Sequence, residues 1–420
     1  SKYMAELNAR YDGSSKFLPE NRWNSFWGAS AGWRISEESF MEGIHDYVSE
    51  LKLRASYGIG GNIGRNTAPY LIASYYDSSL VDGMAGSVNT PPNKDIRWEK
   101  TTTVNVGVDF ALFRHRLSGT IEYYNKYSVD LLAAINGSPT QGFGYTTLMT
   151  NNGKMVNRGV EITLSGEIIR QKDVSWNASL LYAFNRNKVK HISVQPSLWD
   201  SRISMPTSYP MVGKPLYGIY AYKWAGLNEN GDPQVYDAEN NVTSGPARDY
   251  HALVYCGTTV PIHNASLTNV LRYKGFEFSA MLILDAGHKL RSSNIPSINM
   301  SNGRITSTAK GIVDRWTQPG DVTDVPRLLF SNDTENFNTH RTELYRYSDL
   351  FVYDASNIRL SNISLAYRVP AHWCKKISLS GARLQFNVEN VATFAFDSKA
   401  NYDLGGKVKP NYVWGLYLNF

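Results

Sequence analysis

The stretch Thr101–Tyr127, TTTVNVGVDFALFRHRLSGTIEYYNKY, decides the fold class. Val104, Val106, Val108 and Phe110 fall on one side of an extended chain, and Thr103, Asn105, Gly107 and Asp109 fall on the other. After Arg114–His115 the pattern resumes: Leu117, Gly119, Ile121 and Tyr123 oppose Ser118, Thr120 and Glu122. Apolar residues at every second position mark a strand with one dry and one wet face, and two such runs across a short polar break mark a hairpin.

Moving outward, the same period recurs. Leu51, Leu53, Ala55 and Tyr57 oppose Lys52, Arg54 and Ser56, and Val160, Ile162 and Leu164 oppose Glu161, Thr163 and Ser165. Further apolar rows are Trp176–Phe184, Phe276–Leu284, Ala382–Val388 and Trp414–Phe420, each taken at alternate positions. Twelve strands follow, roughly at 2–12, 22–34, 48–58, 98–113, 116–128, 154–169, 173–187, 263–274, 276–286, 354–369, 380–390 and 411–420. No amphipathic helix of more than two turns stands out. In the tenth strand Ile358 and Leu360 are out of phase with Ile363, Leu365 and Tyr367, which predicts a β-bulge near Ser361–Asn362.

The connections alternate in length. Arg114–His115, Arg170–Lys172 and Gly275 are tight turns, whereas 59–97, 129–153, 188–262 and 287–353 are long. Loops of that length are unusual inside a compact soluble domain. Alternation of short and long connections is the habit of an outer-membrane barrel, with short turns at the periplasm and long loops outside. The C-terminus is then periplasmic, and Trp33, Tyr47, Phe113, Trp176, Tyr273, Phe276, Tyr367 and Phe420 gather at one end as an interfacial girdle. The expected fold is therefore all-β, a transmembrane antiparallel β-barrel. The competing reading, a large soluble β-sandwich or propeller, lacks a blade-length repeat and does not account for the polarised loops.

Composition agrees. The longest apolar run is about five residues (Leu131–Ile135), against the ~20 a spanning helix needs. The 27 Tyr and 10 Trp suit boundaries that are apolar on one side and wet on the other. A charge of +6, with no Lys/Arg block beyond two residues, argues against a nucleic-acid footprint, which would be clustered. Ser1 leads straight into the alternating segment Lys2–Arg10 without a signal peptide, as a mature secreted domain or an internal fragment would.

Several ordered motifs resemble the C-terminal half of the SusC/RagA-type TonB-linked outer-membrane proteins of Bacteroidota. They begin with Ala9-Arg10-Tyr11-Asp12-Gly13, Asn21-Arg22-Trp23, Ser30-Ala31-Gly32-Trp33-Arg34 and Lys52-Leu53-Arg54-Ala55-Ser56-Tyr57-Gly58. Ile96-Arg97-Trp98-Glu99-Lys100, Asp130-Leu131-Leu132 and Asn157-Arg158-Gly159-Val160-Glu161 follow. Tyr273-Lys274-Gly275-Phe276-Glu277, Asp314-Arg315-Trp316-Thr317, Pro326-Arg327-Leu328 and Asn357–Leu365 complete the series. Each motif alone is weak; their order along the whole chain makes the resemblance specific.

The resemblance implies that residues 1–420 are the C-terminal part of a 22-stranded barrel, with the plug and N-terminal domains absent from this chain. It implies active import of an oligosaccharide or oligopeptide through the outer membrane. Expected partners are a SusD-like surface lipoprotein acting as a lid on loops 59–97, 188–262 and 287–353, the N-terminal half of the same transporter, and TonB–ExbB–ExbD acting through the plug. Outer-membrane lipid surrounds the wall. A passive porin-type channel is the alternative, sharing the barrel without energy coupling.

No enzyme is expected. The eight histidines form no HExxH or other close ligand spacing, and neither a G-x-S-x-G elbow nor a P-loop occurs. No catalytic residue, cofactor or metal ligand is assigned. Asn228-Glu229-Asn230-Gly231-Asp232 has alternating oxygen ligands but lacks the rest of a calcium loop, and reads better as a hairpin turn. Cys256 and Cys374 fall on opposite sides of the barrel and cannot bond. The functional surface is expected in the long loops and inward polar rows. Trp199, Tyr209, Tyr222, Trp224, Arg341 and Tyr345 are the candidate substrate contacts, with packing inside their own loops as the competing role.

Overall fold

The alternating segments lie side by side in one twelve-stranded sheet in which spatial neighbours are sequence neighbours. The computed structural model describes the chain apart from residues 65–68, 79–82, 91, 137–146, 195, 197–200, 246–248, 301–307, 331–338 and 405–408. The strands are β1 (Tyr3–Gly13), β2 (Trp23–Arg34), β3 (Val48–Asn62), β4 (Glu99–Leu112), β5 (Leu117–Asn136) and β6 (Thr147–Arg170). They continue with β7 (Val174–His191), β8 (His263–Tyr273), β9 (Phe276–Ala286), β10 (Asn357–Arg368), β11 (Gly381–Ala395) and β12 (Asn411–Asn419). All eleven pairings are antiparallel. All twelve expected strands are present.

The register sorts the side chains into two faces. Val104, Val106 and Val108 on β4 sit opposite Tyr57, Ala55 and Leu53 on β3, while Asn105, Gly107 and Asp109 sit opposite Ser56, Arg54 and Lys52. The apolar row continues around the sheet through Ile162–Tyr182, Leu267–Leu282 and Phe386–Trp414. This face is dry and meets hydrocarbon; the polar face lines the interior. Hydrocarbon offers no partner to backbone N–H and C=O groups, so only strands paired on both sides survive there.

The expected bulge is at Ser361. Met281 pairs with Asn362 and Leu282 with Leu360, so Ser361 has no counterpart on β9. The extra residue switches phase, and Ile358, Leu360, Ile363 and Leu365 all reach the lipid face. Asn390, in the left-handed region at φ 54°, marks the matching irregularity on β11.

Several strands run further than expected, among them β3 to Asn62 and β11 to Ala395. β5 and β6 continue to Asn136 and from Thr147, and β7 continues to His191. Leu131–Ile135 is apolar throughout, so alternation could not reveal the strand, and a register break at Ser128–Leu131 with Asp130 at φ 56° hides its phase. The short-turn side has residues 113–116, 171–173 and 274–275, plus small helical turns at 35–44 and 371–377. The long connections contain small sheets: a hairpin at Ile72–Ser78 and Gly83–Thr90, and pairs joining Gly218–Tyr222 to Leu253–Thr258 and Lys289–Arg291 to Val352–Asp354.

The girdle is visible at the short-turn end. Tyr273 faces Phe276, Phe276 faces Tyr367, and the last two rings lie 4.5 Å apart. Tyr3 Oη and Trp33 Nε1 both donate to Glu38, at 2.6 and 3.0 Å, keeping their polar tips on the wet side. A second aromatic row, not foreseen, marks the other end: Tyr11 stacks on Trp23 at 5.3 Å, and Trp27 lies 5.4 Å from Tyr57.

Candidate functional site

The interior face carries charge in matched pairs. Arg54 on β3 reaches across to Asp109 on β4 at 3.0 Å and on to Glu122 on β5, while Thr120 donates to Asp109 at 3.0 Å. Gly107 makes this arrangement fit, since a Cβ there would stand 3.1 Å from the Arg54 guanidinium carbon. Across the sheet Glu277 accepts from Arg272 at 2.7 Å and Arg383 at 3.2 Å, and Asp285 accepts from Asn264 at 2.7 Å and Arg359 at 3.1 Å. A recess of ≈ 470 Å³ opens on the interior side of β1–β4, among Glu6, Ser30, Lys52, Arg54 and Asn105. Such a wall is polar without being an ion sink, because most of its charges have a neighbour of opposite sign.

At the long-loop end the family-like motifs hold one another. Trp98 sits 5.7 Å from Phe17 and 5.3 Å from Phe26, and its indole N–H donates to the Arg22 carbonyl at 2.9 Å. Arg97 pairs with Asp130 at 2.7 Å, and Glu99 accepts from the Leu132 amide at 2.8 Å. The segments around 17–26, 96–99 and 130–132, far apart in sequence, therefore form one seal at the outer rim. Beside it a cavity of ≈ 340 Å³ is lined by Leu132, Met149, Met155, Val189, Pro210 and Leu216, among others.

The two longest loops fold together into a cap. Tyr220, Tyr222, Val235, Leu253 and Leu344 form one buried cluster, and Ile298, Tyr345 and Phe351 form another; Trp224 packs against both. The Tyr222 amide donates to the Tyr347 carbonyl at 2.9 Å, and Arg291 donates to the carbonyls of Tyr220, Arg346 and Ser348. Asp232 accepts from Arg327 at 2.7 Å and Arg341 at 3.1 Å, clasping three segments.

These contacts place the sequence candidates. Tyr222, Tyr345 and Arg341 are sealed inside the cap, at 0%, 1% and 2% exposure, and in this arrangement they pack loops together. Burial pushes the Tyr345 phenol far above its usual range and pulls the Arg341 guanidinium down against the nearby Asp232. Tyr209 is buried beside Arg202, whose Nε donates to the Tyr209 carbonyl at 3.3 Å. Trp224 is half-buried, with its indole N–H on Asp324 at 3.0 Å. Trp199 lies outside the described residues. Residues 228–232 form the turn of a hairpin: Leu227 faces Pro233, and Asn228 Oδ1 accepts the amides of Asn230 and Asp232 at 3.0 and 2.8 Å. Both arginines occupy the Asp232 carboxylate, and among the described residues no group of three acidic, His or Cys side chains could hold a metal ion.

The whole arrangement is a sheet with one lipid face, one ion-paired interior face and a folded outer cap. Residues 1–391 match the model of the family described as TonB dependent receptor-like, beta-barrel. The chain belongs to that family.

This TonB-dependent receptor barrel is 27% identical over 411 residues to the receptor SusC of Bacteroides thetaiotaomicron, covering 93% of this chain and 39% of SusC. It is also 27% identical over 443 residues to TonB-dependent receptor P3 of Formosa agariphila, covering 99% of this chain and 42% of that protein. The solved RagAB peptide transporter shares the fold, with a TM-score of 0.79 at 23% identity, over 100% of this chain and 46% of that one. The chain spans about two fifths of the length of the curated relatives. Its place is the outer membrane.

The interior pairs Arg54–Asp109–Glu122 and Arg272–Glu277–Arg383 were not singled out from sequence, although a signal existed. Once strand neighbours are known, opposite charges at matching positions of the polar rows predict such ladders. The register that aligns them is what the sequence left open.

Proposed function

We propose that this chain forms wall and outer loops of an active importer that brings an oligosaccharide or oligopeptide into the periplasm. The ion-paired interior provides a wettable path, and the folded cap provides a shaped entrance above it. Energy comes from TonB–ExbB–ExbD through a plug, and a SusD-like lipoprotein rests on the outer loops as a lid. β1 and β12 are the two edges of the sheet, and a 22-stranded closure shared with the N-terminal half of the transporter would pair both edges within hydrocarbon. The observation that supports this most is the division of one sheet into a lipid face and a charged, paired interior, in a chain matched to SusC over 93% of its length.

The test is uptake by cells in which the gene is deleted and then restored. Labelled oligopeptides and oligosaccharides are offered with and without a protonophore. Import that depends on the gene and stops when the protonmotive force collapses supports the proposal. Gene-dependent entry that ignores the protonophore would leave a passive pore. Purification in mild detergent should also bring down a plug-bearing segment and a surface lipoprotein.

A further inference from the structure

The lipid-facing row does not remain apolar at its outer end. On β7 it runs Trp176, Ala178, Leu180, Tyr182 and Phe184, about the ~9–11 residues with which a tilted strand crosses the hydrocarbon. The next two positions of the row are Arg186 and Lys188. On β6 the same row runs Leu164, Ile162, Val160, then Arg158, Val156 and Lys154. Arg158 and Arg186 are directly opposite one another, and Lys188 faces Val156 between Arg158 and Lys154. All four cations are exposed.

Like charges placed opposite each other on neighbouring strands destabilise a sheet unless something lies between them. Here no carboxylate among the described residues does; the Tyr255 phenol is the neighbour that feels the Arg186 charge. Arg158 Nε donates to Asn125 Oδ1 at 2.8 Å, which is a neutral partner. Among the described residues no carboxylate pairs with Arg158, Arg186, Lys188 or Lys154. The nearby acids Glu122 and Glu161 lie in the other phase, on the interior face. Tyr123 and Tyr127 on β5 flank the level of the arginines, facing Val160 and Val156. The patch therefore sits at the interface, where rings are half in hydrocarbon and half in headgroups.

We infer that the outer face of β5–β7 holds the phosphate-bearing headgroup of an outer-leaflet lipid, gripped by Arg158 and Arg186, with Lys188 and Lys154 above them and the acyl chains along Val160, Ile162 and Phe184. Continuity with the hydrocarbon face selects a lipid over a soluble anion: one molecule meets both the cations and the aliphatic row. Guanidinium forks suit phosphate oxygens, and two of them turn a repulsive pair into a clamp.

The experiment uses the full-length transporter in phosphatidylcholine nanodiscs containing dioleoyl phosphatidic acid, with native mass spectrometry to count lipids retained after detergent release. The wild type should retain phosphatidic acid in preference to phosphatidylcholine. R158Q/R186Q should retain about 30-fold less, as expected for removing two cations at an anionic surface. R158K/R186K should keep most of the binding. K154Q/K188Q, which leaves the clamp intact, is the second variant and should lose several-fold less than R158Q/R186Q. Retention by R158Q/R186Q equal to wild type, or equal retention of phosphatidylcholine, overturns the inference. Displacement of phosphatidic acid by millimolar inorganic phosphate would assign the cations to a soluble anion and overturn it too.

Discussion

Tyr124 on β5 packs against the bare Cα of Gly159 directly opposite on β6: a Cβ at Gly159 would stand 2.5 Å from the phenol oxygen and 2.4 Å from the Phe184 carbonyl oxygen. The ring fills the groove that a strand glycine leaves, which keeps the interior face closed at that point. A methyl group cannot enter without moving two strands. Gly159→Ala should lower the melting temperature of the detergent-solubilised protein, with a loss of about 1–3 kcal/mol. Adding Tyr124→Ala should recover only part of it, because the Phe184 carbonyl is backbone and cannot swing aside. Full recovery in the double variant would mean that the ring alone sets the limit.

The Asp232 clasp gives a second outcome. Arg341 has a side chain only 3% exposed, and Asp232 is its carboxylate partner. Asp232→Asn leaves a buried cation facing a neutral amide, a change that typically costs about 3–5 kcal/mol when fully buried and less here because Asp232 keeps 22% exposure. Limited proteolysis should cut the cap at residues 192–262 and 287–356 much faster in the variant. The heat-modifiable migration of the barrel should not change. Equal cap cleavage in wild type and variant would show that the apolar clusters suffice to hold it.

The contrast between barrel and cap explains what could be read from sequence. A strand between lipid and a polar interior must alternate, so Val104–Phe110 and Leu117–Tyr123 declare themselves without knowledge of any neighbour. Even the Ser361 bulge is legible, because the phase of Ile358 and Leu360 fails to match that of Ile363 and Leu365. The cap has no such period. Asp232 finds Arg327 and Arg341 at sequence separations of 95 and 109, and Tyr222 meets Ser348 through an isolated bridge. Burial of Tyr222, Tyr345 and Arg341 depends on those remote partners. An aromatic or arginine in a long loop looks the same in sequence whether it binds a solute or closes the loop upon itself.

Cys256 offers a pH-dependent readout of the cap. Burial pushes its thiol up to about 11, and Asp349 adds to this against the opposing charges of Arg291 and Lys289. At pH 7.5 the thiolate fraction is then on the order of one in three thousand, so alkylation should be slow although the residue is on the outer side. The rate should rise about tenfold per pH unit up to about pH 10 and flatten beyond 11. A thiol whose folded value exceeds its ordinary 9.0 supports the folded state below pH 9, and that support is lost as pH climbs through about 11. Rapid labelling at neutral pH, at the rate of an exposed peptide thiol, would show that the cap opens on the timescale of the reaction.

Ser361 is the sharpest test of the lipid-facing assignment. Removing it lets Leu360 run directly into Asn362 and shifts the rest of β10 by one position. Ile363, Leu365 and Tyr367 would turn to the interior, while Ser364, Ala366 and Arg368 would turn to hydrocarbon. An arginine facing lipid costs about 2–4 kcal/mol at the bilayer midplane and less toward the interface where Arg368 lies, but the lost aliphatic contacts of three positions add to it. The deletion should therefore abolish heat-modifiable assembly in the outer membrane. Ser361→Ala, which keeps the extra residue and changes only its side chain, should assemble like the wild type. Deleting Ser361 and also inserting one residue between Asn362 and Ile363 restores phase and should restore assembly. Assembly of the simple deletion at wild-type levels would mean that β10 does not present Ile363, Leu365 and Tyr367 to lipid, and the two-faced sheet would have to be redrawn on that side.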